Sequence, residues 1–333
     1  MACRGEKPPF TPVWIMRQAG RYLPEYMEIR AKHSFLDLCH SPELATRATV
    51  SAVEALGVDA AILFSDILIP MEPMGLPVAF NPGPVIDRPV RTRSDVDALR
   101  VPDAASELSF VMEAVAMIRR ELDGKVPLIG FAGAPFTLAA YMVEGSGSKD
   151  FAMVKALAYK DRTTYDALMA KITDTVIDYL KAQVEAGAHA VQIFDSWGGI
   201  VSSVDYRRFV LPWNVKVAEA LAGTVPVIYF INNGSHLYET VREIPADVFG
   251  IDWRMELDRS WAALGTDRAI QGNLDPAALF APEEELGSMI DDVLARAEGR
   301  PGHIFNLGHG ITPTVDPERA RFLVRRVHEK TRG

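Results

Sequence analysis

Thiol chemistry is nearly absent from this chain. Two cysteines, Cys3 and Cys39, are all it has, and two so placed make neither a disulfide framework nor a zinc quartet. A basic excess is missing too. The 35 Lys and Arg face 44 Asp and Glu, a net charge of −9, which argues against nucleic acid or an anionic membrane as partner, since both leave a positive footprint. No run of about 18 apolar residues is present to span a bilayer, and the opening MACRGEKPPF carries no apolar h-region. With the thiols reduced, these absences predict a soluble cytoplasmic protein. There is no GxGxxG after a strand, no Walker loop and no HExxH, so nucleotide, P-loop and zinc chemistries lose their usual signatures. No fixed-length repeat, low-complexity segment or linker divides the chain, and one domain over 1–333 is expected.

What is present suits a large folded core: 48% of residues are hydrophobic and 24% charged. Short apolar runs at 59–64, 126–131, 190–194, 225–231, 248–251, 269–271 and 303–306 alternate with amphipathic stretches. Helix-start signals recur between them, as in Ser41-Pro42-Glu43 and Asp316-Pro317-Glu318. Seven strand–helix cycles, with an eighth strand at Val13 to Met16 or Val78 to Phe80, require parallel strands with helical crossovers. A (β/α)8 barrel is favoured over a doubly wound sheet because nearly every run ends in polar or glycine residues, which a barrel gathers on one face.

Chemistry concentrates in two kinds of place. The stretch Met16 to Tyr26, MRQAGRYLPEY, sets Arg17, Gln18 and Arg21 close together, a grouping able to grip carboxylates or phosphates. The alternative is an ordinary solvated charged segment. The run ends supply Asp66, Ser196, Asp252, Asn273 and His309, which a barrel brings into one cleft with the arginines. Each has a bland reading as well: Asp66 as a cap on loop amides, Ser196 as a cap, Tyr141 as a packed aromatic. His309 stands between Gly308 and Gly310, glycines that a simple core histidine does not need. The stretch Glu144 to Ser148 reads as a mobile loop beside the cleft.

Five segments in order, PVWIMRQAGRYLPEY, FSDILIP, FAGAPFTLAAYMVEG, FDSWGG and NLGHGI, resemble the uroporphyrinogen decarboxylase family over essentially the whole chain. That resemblance implies a distorted (β/α)8 barrel forming a homodimer. It implies a cofactor-free, metal-free enzyme that turns the four acetate arms of uroporphyrinogen III into methyls, giving coproporphyrinogen III and carbon dioxide. Carried over residue by residue, Arg17, Gln18, Arg21 and Arg30 match a flexible substrate-binding segment around 12–35. Asp66 matches the central acid facing the pyrrole N–H groups. Tyr141, Ser196 and His309 match polar residues around the carboxylates, and Phe131 and Phe194 match apolar contacts to the macrocycle. Asp66, Arg17, Tyr141 and His309 are the candidates for catalysis. The nearest rival is a zinc methyltransferase of the same superfamily acting between a corrinoid and coenzyme M. It needs a His-x-Cys pair that this sequence lacks. A second rival is a tetrapyrrole-binding protein that has lost its chemistry.

Overall fold

The computed structural model describes residues 1–81 and 83–332. Among the described residues nine strands occur: β1 Ala61–Ile62, β2 Ala79–Phe80, β3 Pro84–Val85, β4 Leu128–Gly133, β5 Ala190–Asp195, β6 Val227–Ile231, β7 Val248–Gly250, β8 Ala269–Gln271 and β9 His303–Ile304. Seven of them form one parallel sheet in the order β1-β4-β5-β6-β7-β8-β9. The two edges meet through the segment before Trp14. Val13 bridges Phe305 in parallel, the Phe305 N–H donates to Pro12 O at 2.8 Å, and the Asp59 N–H donates to Val13 O at 2.7 Å. The Asp59 carboxylate locks this seam, accepting from Val13 N at 2.8 Å and from the His328 imidazole at 2.7 Å.

The ring is therefore a distorted eight-membered barrel whose eighth place, expected at Val13 to Met16, is reduced to one bridge. Pro12 has no N–H with which to lengthen the ladder. The other candidate, Val78 to Phe80, pairs instead with Pro84–Val85 in a hairpin outside the barrel.

Period-two alternation sorts the strand residues. Phe194, Phe230, Gly250, Gln271 and Ile304 fall on one line of paired residues and face the barrel interior. There Phe194, Phe230 and Ile304 meet Trp14, Met16 and Ile129 in a small cluster. Polar depth is bridged by Trp14 Nε1 donating to Gln271 Oε1 at 2.9 Å and Gln271 Nε2 donating to Gln192 Oε1 at 3.1 Å. The opposite strand faces pack on the helices in a much larger apolar core, whose burial at roughly 25 cal/mol per Å² dominates stability.

Helices follow the expected cycle, with local departures. The segment 104–122 breaks at Leu108 into Ala104–Glu107 and Ser109–Glu121. The segment 204–221 contains a π-turn at Tyr206–Val210 before Leu211–Leu221, because Pro212 cannot donate the next bond. Short helices at Phe35–His40 and Arg93–Ala98 start on capping boxes, Ser34 with Asp37 and Thr92 with Asp95. Among the described residues, no helix is long and apolar enough to cross a membrane.

Candidate active site

The arginine stretch is fastened before it presents anything. Gln18 is buried, its Oε1 accepting from Ile15 N at 3.2 Å and its Nε2 donating to Ala60 O at 3.1 Å. The side chain expected to touch substrate is turned inward, tying the stretch to the start of β1. Asn306 ties it to the last strand's end: its Oδ1 accepts from Met16 N at 3.0 Å and from Leu307 N at 2.8 Å. The Ile311 N–H then donates to Met16 O at 2.9 Å.

Between these anchors Arg17 adopts φ 63°, left-handed backbone that a non-glycine residue holds only at some cost. Two glycines make room for it. A Cβ at Gly20 would sit 2.7 Å from Arg17 O, and one at Gly310 would sit 2.4 Å from Arg17 Cδ. The glycine after His309 is thus the wall along which the Arg17 side chain runs.

Arg17 is the common neighbour of three groups from distant parts of the chain. Asp66, beyond β1, is raised above the usual carboxylate range by burial, an effect opposed by the Leu68 N–H at 2.9 Å and by the Arg17 charge. The residue is only half-buried, so it is shielded by the surrounding protein without being sealed. Tyr141, on the helix Pro135–Glu144, is raised by burial, with Asp66 pushing it up and Arg17 drawing it down. His309 is pushed down to about 4 by burial and then by Arg17 and Arg254, which leaves a neutral imidazole at neutral pH. Gly308 brings this turn close to the segment that follows β7, where a Cβ would lie 2.5 Å from Trp253 N.

Under these groups lies an aromatic floor. Phe131 and Phe194 meet edge to face with centroids 5.6 Å apart, Phe194 and Phe230 at 5.9 Å, and Phe230 and His309 at 6.4 Å. Phe230 did not stand out in the sequence. Its signal was the register of VIYFI, which places it beside Phe194. Tyr141 packs against Phe151 and Trp197, at 6.1 and 6.0 Å.

Other expected members lie at the margins. Ser196 is half-buried, its carbonyl accepting from Asn232 Nδ2 at 3.3 Å. Arg21 is exposed on the stretch. Arg30 is turned back on its own segment, donating to the His33 carbonyl. Asp252 and Asn273 are buried scaffolding: the Asp252 carboxylate accepts from Arg254 N at 2.8 Å and the Arg254 guanidinium at 3.0 Å, and Asn273 Nδ2 donates to Asp252 O at 2.9 Å and Met255 O at 2.8 Å. Cys39 is buried on the helix Phe35–His40, and Cys3 packs against the interior cluster. Among the described residues no three His, Cys, Asp or Glu side chains are grouped to hold a metal ion.

An acid, a phenol and a neutral imidazole around one guanidinium, beside an aromatic surface, can hold a cyclic polyanion and steady positive charge formed within its ring. Comparison with known proteins bears on the family of the whole chain. The family model described as uroporphyrinogen decarboxylase (URO-D) matches residues 1–330. Curated relatives bearing the name uroporphyrinogen decarboxylase include that of Geobacter sp. strain M21, 54% identical over 99% of this chain and 98% of its own. That of Carboxydothermus hydrogenoformans is 53% identical over 98% and 95%. Among solved structures, a methyltransferase from Methanosarcina mazei superposes with TM-score 0.81 at 19% identity, covering 99% of this chain and 96% of that one, a likeness of fold alone. A match to the family model along nearly the whole chain, with half its residues shared with curated members, shows that this chain belongs to the uroporphyrinogen decarboxylase family.

Proposed function

We propose that the chain decarboxylates the four acetate arms of uroporphyrinogen III to methyls, yielding coproporphyrinogen III and carbon dioxide in tetrapyrrole biosynthesis. The observation that carries this reading is the buried Asp66 carboxyl within reach of the Arg17 charge, beside the aromatic cluster of Phe131, Phe194 and Phe230. The chemistry needs an electron sink. Protonating a pyrrole α-carbon makes the ring cationic. The bond from the acetate methylene to its carboxylate then breaks, and its electron pair neutralises the ring as carbon dioxide leaves. A proton adds to the exocyclic methylene while the ring proton departs, so each arm consumes one proton overall. The sink is the substrate's own ring, and no cofactor is called for.

In this reading the Asp66 carboxylate accepts pyrrole N–H bonds and stabilises the ring cation in a water-poor cleft. Arg17 and Arg21 bind the substrate carboxylates and offset the repulsion between a polyanion and a protein of charge −9. The neutral imidazole of His309, the Tyr141 hydroxyl and Ser196 orient the arms, with Phe131 and Phe194 against the macrocycle. Arg30 and Gln18 support the stretch from behind. The protein acts as a single barrel domain with a binding segment around 12–35, as a homodimer in the cytoplasm. Its partner is the small-molecule substrate rather than nucleic acid or membrane.

The test is anaerobic incubation of purified, chelator-treated protein with uroporphyrinogen III, then oxidation and chromatographic counting of carboxylates. Seven- to four-carboxylate products without added metal or cofactor are expected. A folded protein that binds the substrate and yields none would overturn the reading.

A further inference from the structure

Directly behind the cleft, on the outer face of the barrel wall, sits a buried carboxylate that the proposed reaction does not use. Asp195, the last residue of β5, is fully buried. Its Oδ1 accepts from Thr137 Oγ1 at 2.9 Å and from Gly198 N at 2.9 Å. Its Oδ2 accepts from Tyr229 OH at 2.5 Å. Tyr206 OH stands 2.6 Å from Tyr229 OH, and Asn214 Nδ2 donates to Tyr229 OH at 2.8 Å and Tyr206 OH at 3.0 Å. Tyr206 OH and Asn214 Nδ2 also donate to Oδ2, each at 3.4 Å, so five donors reach one carboxylate with no ion pair. A carboxylate buried among neutral donors is expensive to keep, and burial pushes Asp195 above the usual carboxylate range against the hydrogen bonds from Tyr229, Thr137, Gly198 and Asn214.

We propose that Asp195 and Thr137 form a positioning clamp that sets Tyr141 and the Ser196–Trp197 turn against the substrate, an inference that rests on the decarboxylase reading above. Thr137 precedes Tyr141 by one helical turn on the helix Pro135–Glu144, so both lie on one face. The same Thr137 hydroxyl that donates to Asp195 accepts from Trp197 N at 3.2 Å. The Trp197 ring in turn abuts Tyr141. One carboxylate therefore fixes both walls on which the Tyr141 hydroxyl depends. Gly198 belongs to the device: a Cβ there would sit 2.2 Å from Asp195 Oδ2.

The clamp is tested in the full-length protein with uroporphyrinogen III. Thr137→Val removes the hydroxyl that joins helix, turn and carboxylate. It is expected to lower kcat/KM roughly 10- to 100-fold, as a misplacement near 1 Å does, while Thr137→Ser restores most of it. The decisive readout is a cycle with Tyr141→Phe. If Thr137 acts through Tyr141, the double variant is scarcely slower than Tyr141→Phe alone, whereas a general packing defect makes the losses multiply. Tyr206→Phe, one hydrogen bond further out, repeats the cycle if Thr137→Val fails to fold. Non-additive losses with serine rescue support the clamp. Multiplying losses, or a Thr137→Val enzyme with wild-type kcat/KM, overturn it. A wild-type protein without turnover would instead count against the decarboxylase reading, so the two failures are distinct.

Discussion

Replacing Gly310 with alanine tests how finely Arg17 is placed. The new methyl carbon would stand 2.4 Å from Arg17 Cδ, 2.8 Å from Cγ and 2.8 Å from Nε, where ordinary contact begins near 3.4 Å. The neighbour is one flexible side chain rather than backbone, so Arg17 is the part that yields. Its Cδ must retreat by about 1 Å, and the guanidinium, further along the chain, swings by at least as much. Misplacement of that size at a reacting centre costs roughly 100-fold in rate, or about 2.7 kcal/mol at 1.36 kcal/mol per tenfold. Stability changes little, because a surface-facing arginine gives up no buried bond. The assay is initial carbon dioxide release from uroporphyrinogen III, beside a thermal melt of the same preparation. A Gly310→Ala enzyme with near-wild-type turnover would refute the assignment of Arg17 to the reacting centre. A large fall in melting temperature would show instead that the glycine serves packing.

Three further outcomes follow from the same geometry. Asp66→Asn keeps the shape and removes the charge, and is expected to lose about 100- to 1,000-fold in kcat, the range for a lost preorganised electrostatic group. Because burial raises Asp66 in the native state, its ionisation works against folding. The variant should melt no lower than wild type at pH 7, with the difference vanishing below about pH 3.9, where the unfolded carboxyl is also protonated; a clearly lower melt at pH 7 contradicts this. His309 is expected to stay neutral down to about 4, while an unfolded imidazole protonates near 6.5. It favours the fold above that value and loses the benefit as the pH falls towards 4, and an NMR titration midpoint near 6.5 would contradict the burial argument. Gln18→Leu strands the Ile15 N–H and the Ala60 carbonyl and should lower unfolding free energy by about 1–3 kcal/mol, measured by urea denaturation. A change confined to KM would make Gln18 a direct substrate contact.

The parallel strands were the most legible feature because they are buried on both faces and read as unbroken apolar runs. The run at 269–271 coincides with β8, and 225–231 exceeds β6 only at its start, by the two residues before Val227. The eighth place was harder to assign, since Val13 contributes a single bridge and one residue has no period. Asp66 and His309 were visible because a polar residue at the end of a buried run, or between two glycines, needs a reason. Gln18 looked like a third member of the arginine group. Only tertiary structure shows its amide meeting Ile15 and Ala60. The clamp around Asp195 was hidden for a similar reason: Thr137, Tyr206 and Tyr229 are scattered along the chain and meet only through strand pairing and the π-turn.

The seam at Val13 gives the barrel an unusual order of completion. The stretch that carries Arg17 is also the piece that joins the first strand to the last, and Met16 reaches Asn306 across a sequence separation of 290 residues. Contacts so distant in sequence form late, after the loop-closure entropy of the intervening chain has been met. Until then β1 and β9 are open sheet edges of the kind that invite pairing with other chains. During synthesis Met16 waits for a partner made 290 residues later. When they meet, one step seals the edges, sets the arginine over the acid and turns an inert sheet into a working cleft.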